Sequence, residues 1–304
     1  MTATVPMQGA CLYVPAVHPG LGPVLRGESV RGLRQVVVCL EDALGAEDVP
    51  AALRRLREVA RCPGGPRVFV RPRDAAMLVE LLAWRESAGW DGFVLPKITV
   101  ANAAGWLGPL AATGFAAMPI LETAEVFDPY ALRDLCSALE EPAWRARVEA
   151  VRIGGTDLFS VLGARRPAAR TVYDSILGPT VRAVAAMLMS RGTHVTAPVC
   201  ERITPTRAMR EEVAMDVEAG FVGKTAIHPR QVAVIDAAFR VGADELAEAE
   251  RILASEAAVF QSRGAMCERA PHARWARRVV ARATAFGVVG AAAGSADGAE
   301  SLTS

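Results

Sequence analysis

RVFVRPR (67–73), GFVLPKI (92–98) and AAMPILET (116–123) are three apolar runs separated by helix-like gaps, and they decide the fold. Each is a continuous apolar stretch rather than an alternating one, which is the pattern of a strand buried on both faces. The gap after the first run opens with Asp74, a residue that caps helices. It carries Leu78, Leu81 and Leu82 at helical spacing and reaches a terminating Gly89. Strand, helix, strand in this order is the parallel crossover unit.

Working outward, the same kind of run recurs on both sides. CLYVPAV (11–17) and QVVVCLED (35–42) precede it; EAVRIGGTDL (149–158), HVTAPVCE (194–201) and GKTAIHP (223–229) follow. In 51–62, Leu53, Leu56, Val59 and Ala60 share one helical face, and Thr204 and Pro205 open a helix that Gly220 closes. Eight strands alternating with helices within roughly 200–250 residues predict an α/β fold, a closed (β/α)8 TIM barrel over 9–240. An open doubly wound sheet would want an early glycine-rich nucleotide turn, and the sequence has none. A C-terminal helical extension is expected over 241–287, with helices in 243–261 and from about Pro271 onward. It would pack on a neighbour or cover a barrel end. Residues 1–8 and 288–304 read as loose, the latter as a disordered tail of small and polar residues.

Composition narrows the function classes. The formal net charge is +1 and no basic block stands out, so nucleic acid has no electrostatic purchase. No apolar run reaches the length of a membrane span, and the first residues do not read as a signal peptide. The six cysteines are scattered without a CxxC pair, which argues against a zinc site or a disulfide framework. A soluble protein of a reducing cytoplasm is expected. The 34 basic residues include only two lysines, Lys97 and Lys224; both invite inspection.

Active residues in such a barrel sit at the C-terminal strand ends. There the sequence places Glu41 and Asp42, Arg71 and Arg73, Lys97, Glu122, Asp157, Glu201 and His228. Glu122 and Asp157 follow adjacent strands, and two carboxylates with room for water and substrate oxygens suit Mg²⁺, with Mn²⁺ as a substitute. Arg71 and Arg73, two apart on one strand face, form a wide grip for an anion. The turn Gly154, Gly155, Thr156 leaves backbone N–H groups free for a second carboxylate oxygen. Lys97 could form a Schiff base, but carboxylates around it favour the charged amine. His18, on the first loop, could face substrate, and His228 could equally be a hydrogen-bonded core residue.

In order, LYVPA, CLEDA, FVRPR, GFVLPK, ILET, RIGGTDL and GKTAIHPRQV resemble the strand motifs of the HpcH/HpaI aldolase and citrate lyase β-subunit-like family, over about residues 11–285. The variants VRPR and LYVPAxHP are most similar to the branch called TIM-barrel C–C bond lyases, associated with tellurite-resistance or stress-response gene clusters. The resemblance implies Mg²⁺-dependent cleavage or formation of a C–C bond in a 2-oxo acid or acyl-thioester. It puts Glu122 and Asp157 on the metal carboxylates, Arg71 on the substrate-carboxylate arginine, and Glu41 and Asp42 on the acidic pair after the second strand. It also implies an oligomer, often a trimer, with the C-terminal helices reaching a neighbour. Cys39, Arg73, Gly9 and the segment PVCE depart from the pattern. These changes remodel the substrate and coenzyme side of the pocket, which weakens the case for coenzyme A as part of the substrate and suits a small, more anionic one. A non-catalytic barrel that binds a metabolite is the alternative from another class.

Overall fold

The computed structural model describes residues 7–42, 44–59, 64–257, 259–262 and 265–290. Two compact units emerge, one over Gln8–Ala238 and one built mainly from Phe239 onward.

The first unit is a closed parallel barrel in sequential order. Its strands are β1 (Gly9–Pro15), β2 (Gln35–Cys39), β3 (Arg67–Arg71), β4 (Gly92–Leu95), β5 (Ala116–Leu121), β6 (Val151–Ile153), β7 (Val195–Ala197) and β8 (Gly223–Ala226). β1 pairs with β8 from Gly9↔Gly223 to Leu12↔Ala226 and closes the ring. Almost every strand residue is buried, as the unbroken apolar runs require. Cys11, Val37, Phe69, Val94, Met118 and Ile120 fill the interior. β2 to β8 are each shorter than the run that announced them, and β1 starts and ends two residues earlier than its run. The polar end of each run turns out of the ladder and becomes the rim.

Local chemistry explains the helix boundaries. The Asp74 side chain accepts from Met77 N and starts a helix over Ala75–Leu82, but the stretch that ends at Gly89 is a separate 3-10 turn, Arg85–Gly89. A helix over Val49–Glu58 buries Ala52 and Leu56, while Leu53 and Val59 are only half-buried and Ala60 lies outside the described residues. Thr206 rather than Thr204 caps the helix Arg207–Ala219, and Gly220 ends it at φ 88°, a conformation that favours glycine. At the N-terminal end of the barrel, Arg67 grips Glu149 through two hydrogen bonds of 2.8 and 2.7 Å. Gln8, expected to be loose, is instead buried there and donates to Glu149 at 2.9 Å; residues 1–6 lie outside the described residues.

In the second unit the helix is shorter than 243–261. It covers Ala243–Ala254, and an antiparallel hairpin of Val259–Ser262 with Ala265–Glu268 follows. A second helix runs over Arg269–Phe286, starting just before the expected Pro271. Val241, Ala249, Ile252, Ala276 and Val279 form its core. Val288 and Val289, expected in the disordered tail, pair in parallel with Val241 and Gly242; residues 291–304 lie outside the described residues. No helix among the described residues is long and apolar enough to cross a membrane.

Candidate active site

The charged residues that end the strand runs gather at the C-terminal mouth of the barrel. Arg71, the last residue of β3, is buried. Its Nη2 lies 2.5 Å from Glu41 Oε2, 3.1 Å from Asp42 Oδ2 and 3.5 Å from Glu122 Oε1. Burial opposes its charge, yet Tyr13, Glu122, Cys39 and Glu41 around it hold the guanidinium protonated, above the ordinary arginine range. Lys97 donates to Glu41 Oε1, lies 3.0 Å from Asp42 Oδ1 and comes within 3.9 Å of Asp157 Oδ1. Partial burial works against its charge, but the bonds to Glu41 and Asp42 win and raise its pKa. The amine is therefore a charged ammonium. Lys97 is also the one non-glycine residue with positive φ, 51°, among the described residues. That backbone geometry is strained, and it directs the Lys97 N–H onto Glu122 Oε1 at 2.9 Å.

Glu122 follows β5 directly and is only 4% exposed. Burial, and then the charge of Asp157, push its carboxyl up to about 8, although Arg71 and the Lys97 N–H pull the other way. A Cβ on Gly154 would lie 2.3 Å from Glu122 Oε2 and 2.4 Å from Glu122 Cβ, so only glycine lets β6 lead past this carboxylate. Asp157 is not at a strand end. It sits half-buried in the first turn of a helix, Gly155–Val161, four residues beyond β6. The Gly154–Thr156 segment accordingly opens this helix rather than forming a free turn. Gly154 N donates to Leu121 O at 3.0 Å, and the N–H groups of Gly155 and Thr156 have no carbonyl one turn earlier to bond.

Glu41 and Asp42 behave as a linked pair. Burial, and then the side-chain contact with Asp42, raise Glu41 against the pull of Arg71 and Lys97. Asp42 is held low despite burial, by that same contact with Glu41 and by the two cations.

A cleft of about 210 Å³ opens between these groups. Asp42, Arg71, Glu122, Gly154, Gly155, Thr156 and Asp157 line it. Six expected residues do not: Glu41 and Lys97, paired as described above, and Arg73, His18, His228 and Glu201. Arg73 lies beyond the end of β3, where its Nη1 donates to the backbone carbonyl of Leu44 at 3.0 Å and tethers the loop after β2, so the wide double-arginine grip does not form. His18 is exposed and its Nδ1 accepts from Gly20 N at 3.0 Å. His228 is half-buried rather than in the core, and accepts from Arg230 N at 3.1 Å where the next helix begins. Glu201 pairs with Arg166 at 3.0 Å.

Residues outside that prediction also line the cleft, among them Tyr13, Arg152, Val199 and Thr225. Arg152 had a legible signal: an arginine at the centre of an otherwise apolar strand, VRI.

No group of three or more His, Cys, Asp or Glu able to hold a metal occurs among the described residues. Glu122 and Asp157 alone suit a hard cation that keeps part of its water shell and takes the rest of its ligands from substrate. The raised Glu122 carboxyl beside the Asp157 charge is the electrostatic situation that such a cation relieves.

Residues 4–288 match the family model described as C–C bond lyase of the TIM-barrel fold. The chain belongs to this family. Its place among the C–C bond lyases makes it a carbon–carbon lyase. CitE from Mycobacterium tuberculosis, in complex with magnesium, acetoacetate and coenzyme A, superposes with a TM-score of 0.67 at 24% identity, covering 91% of this chain and 98% of CitE. A citrate lyase from Burkholderia xenovorans LB400 gives a TM-score of 0.72 at 19% identity, covering 94% of each chain. RipC from Yersinia pestis gives 0.61 at 17% identity, covering 80% and 99%. At such identities these structures speak for the fold that the lyase shares. A search of curated protein sequences finds no match.

Proposed function

We propose that this lyase makes or breaks a C–C bond in a small 2-oxo acid, with Mg²⁺ held by Glu122 and Asp157 and with an enolate as the intermediate. The observation that carries the reading is the buried Glu122 carboxyl, raised to about 8, sharing one cleft with Asp157 and Arg71. Such a pair is costly as two bare carboxylates. A bound divalent cation supplies the compensating charge and stabilises negative charge that develops on the substrate oxygen. Arg71 holds the substrate carboxylate. Its Nε, buried and without a partner, is available for a second bond. The N–H groups at Gly155 and Thr156 orient an oxygen on the opposite wall. The adjacent Glu41 and Asp42 carboxyl groups stand at the rim beside Arg71 and are the donor or acceptor for the carbon from which the bond departs.

Lys97 acts by charge in this reading, because its ammonium is held by Glu41 and Asp42. A Schiff-base nucleophile needs a depressed pKa, and here the shift runs upward. Two structural neighbours, a citrate lyase beta subunit and CitE, both from Mycobacterium tuberculosis, carry magnesium with oxaloacetate and with pyruvate respectively, which supports the metal and the substrate class. Mn²⁺ would serve in place of Mg²⁺. The test is activity on 2-oxo acid substrates in chelator and after adding back Mg²⁺ or Mn²⁺. Restoration by metal supports the reading. Full activity in chelator, or borohydride trapping of substrate on Lys97, defeats it.

We also propose a homo-oligomer. Exposed Val259, Met266 and Trp275 in the C-terminal unit support it. A monomeric mass in light scattering would refute it.

A further inference from the structure

Arg152 lies in β6 and is 1% exposed. It is the largest fully buried side chain of the barrel. A buried guanidinium ordinarily has a carboxylate partner, because an uncompensated charge inside a protein costs several kcal/mol. Among the described residues no carboxylate forms an ion pair with Arg152. Its Nη2 donates to Thr225 Oγ1 at 2.6 Å, its Nη1 reaches Met118 Sδ at 3.6 Å, and its Cζ stands 5.4 Å from the centre of the Tyr13 ring. Its Nε has no partner at all. The neighbours cannot supply the missing charge by ionising. Burial pushes the Tyr13 phenol up to about 12 and raises the Cys11 thiol, so both stay neutral. Arg152 itself stays charged. Burial acts against that charge, and the guanidinium keeps it because an arginine does not give up its proton inside a protein.

This cation lines the same cleft as Arg71, Glu122 and Asp157. Arg71 has three acidic neighbours, whereas Arg152 has none. The open compensation for Arg152 is an anion that enters through the cleft. A monocarboxylate held at Arg71 would leave it bare.

We propose that Arg152 is a specificity-determining residue that receives a second anionic group of the substrate, so that the cleft selects dicarboxylates over otherwise matching monocarboxylates. Thr225, whose hydroxyl accepts from Nη2, fixes the guanidinium fork, and Nε remains free to donate. The inference rests on the proposed 2-oxo acid site for the position of the first carboxylate, but it can fail separately from the metal.

The experiment compares malate with 2-hydroxybutanoate, which differ only by a carboxylate in place of a methyl group. Binding to the full chain is measured by calorimetry, with Mg²⁺ and in chelator, for wild type, Arg152→Met and Glu122→Ala. Charge-assisted hydrogen bonds of about 1.5–3 kcal/mol give wild type about a 10- to 100-fold preference for malate. Arg152→Met should lose that preference and leave 2-hydroxybutanoate within about threefold, since the substitution removes only the second grip. A wild type without preference, or an Arg152→Met protein that keeps it, overturns the proposal. So does a wild type that binds neither acid, which overturns the 2-oxo acid site as well. Preference that survives in chelator and in Glu122→Ala leaves Arg152 standing and removes the metal from the reading. If Arg152→Met does not fold, Arg152→Lys decides. It keeps the charge without the fork and should weaken malate about fivefold or more beyond 2-hydroxybutanoate; equal weakening overturns the proposal.

Discussion

Lys97 and Lys224, the two lysines of the chain, both sit in charge clusters, and the clusters are opposites. Lys224, in β8, is fully buried, with Nζ 2.8 Å from Glu212 and 2.9 Å from Asp216. Arg166 completes the pairing of Glu212 at 2.7 Å, Val172 N donates to Glu212 Oε2, and the Tyr173 hydroxyl donates to Asp216. Every charge there is matched inside the protein. Lys97 is 46% exposed, has a strained backbone, and stands beside a raised carboxyl and an open cleft. A charge cluster that satisfies itself holds a fold together. One that leaves charge unmatched at a cleft is arranged for something that enters.

The largest expected effect is on the open cluster. Glu122→Ala should lower lyase activity about 10³-fold, since a metal's charge stabilisation is worth several kcal/mol, while the far-UV spectrum stays unchanged. Retained activity would erase the functional half of the contrast. Next comes the sealed cluster. Lys224→Met leaves Glu212 and Asp216 buried without their cation and should cost about 3–5 kcal/mol in urea unfolding. A loss below about 1 kcal/mol would mean that the cluster is not the closed network its geometry describes.

The two glutamates also divide the pH response. Glu122 is raised to about 8 in the folded, metal-free protein by burial and by Asp157. The native state then binds a proton that the unfolded chain, with a pKa of about 4.3, has released. Its contribution therefore makes stability fall as pH rises between those values, and level off above about 8. Glu212 runs the other way: burial opposes its charge, but Lys224 and Arg166 hold it below the usual range. That stabilisation is present above the unfolded pKa and is lost as pH falls through the folded one. Unfolding in chelator across pH should show Glu122→Gln flattening the neutral slope and Glu212→Gln flattening the acid limb. The reverse pattern would break the comparison. The smallest effect belongs to Lys97→Met, with less than about 1 kcal/mol of stability lost because its ammonium is half exposed to solvent. A cost as large as that of Lys224→Met would show that exposure does not separate the two lysines.

Much of this was legible beforehand. Glu41, Asp42, Arg71 and Glu122 stood at the ends of apolar runs, and in a barrel that position places them at one mouth. Arg73, His18 and His228 stand outside the cleft lining for a common reason. Their types fit the chemistry, but the backbone carbonyls and amides nearest to them took their hydrogen bonds. The second unit escaped in part because a hairpin of four-residue strands has too short a period to show within a helical pattern.

The linear chain by itself determined the order of strands and helices, since unbroken apolar runs separated by amphipathic stretches can be buried in few ways. It also fixed which charges reach the rim, because the strand period and direction carry them there. Closure of the ring decided the rest. It brought Asp157, displaced into a helix, beside Glu122. It also turned Arg152 inward among neutral neighbours, a placement that depends on which side chains from β1, β5 and β8 meet it across the barrel. Such distances are set by packing between segments far apart in sequence, and no local pattern encodes them.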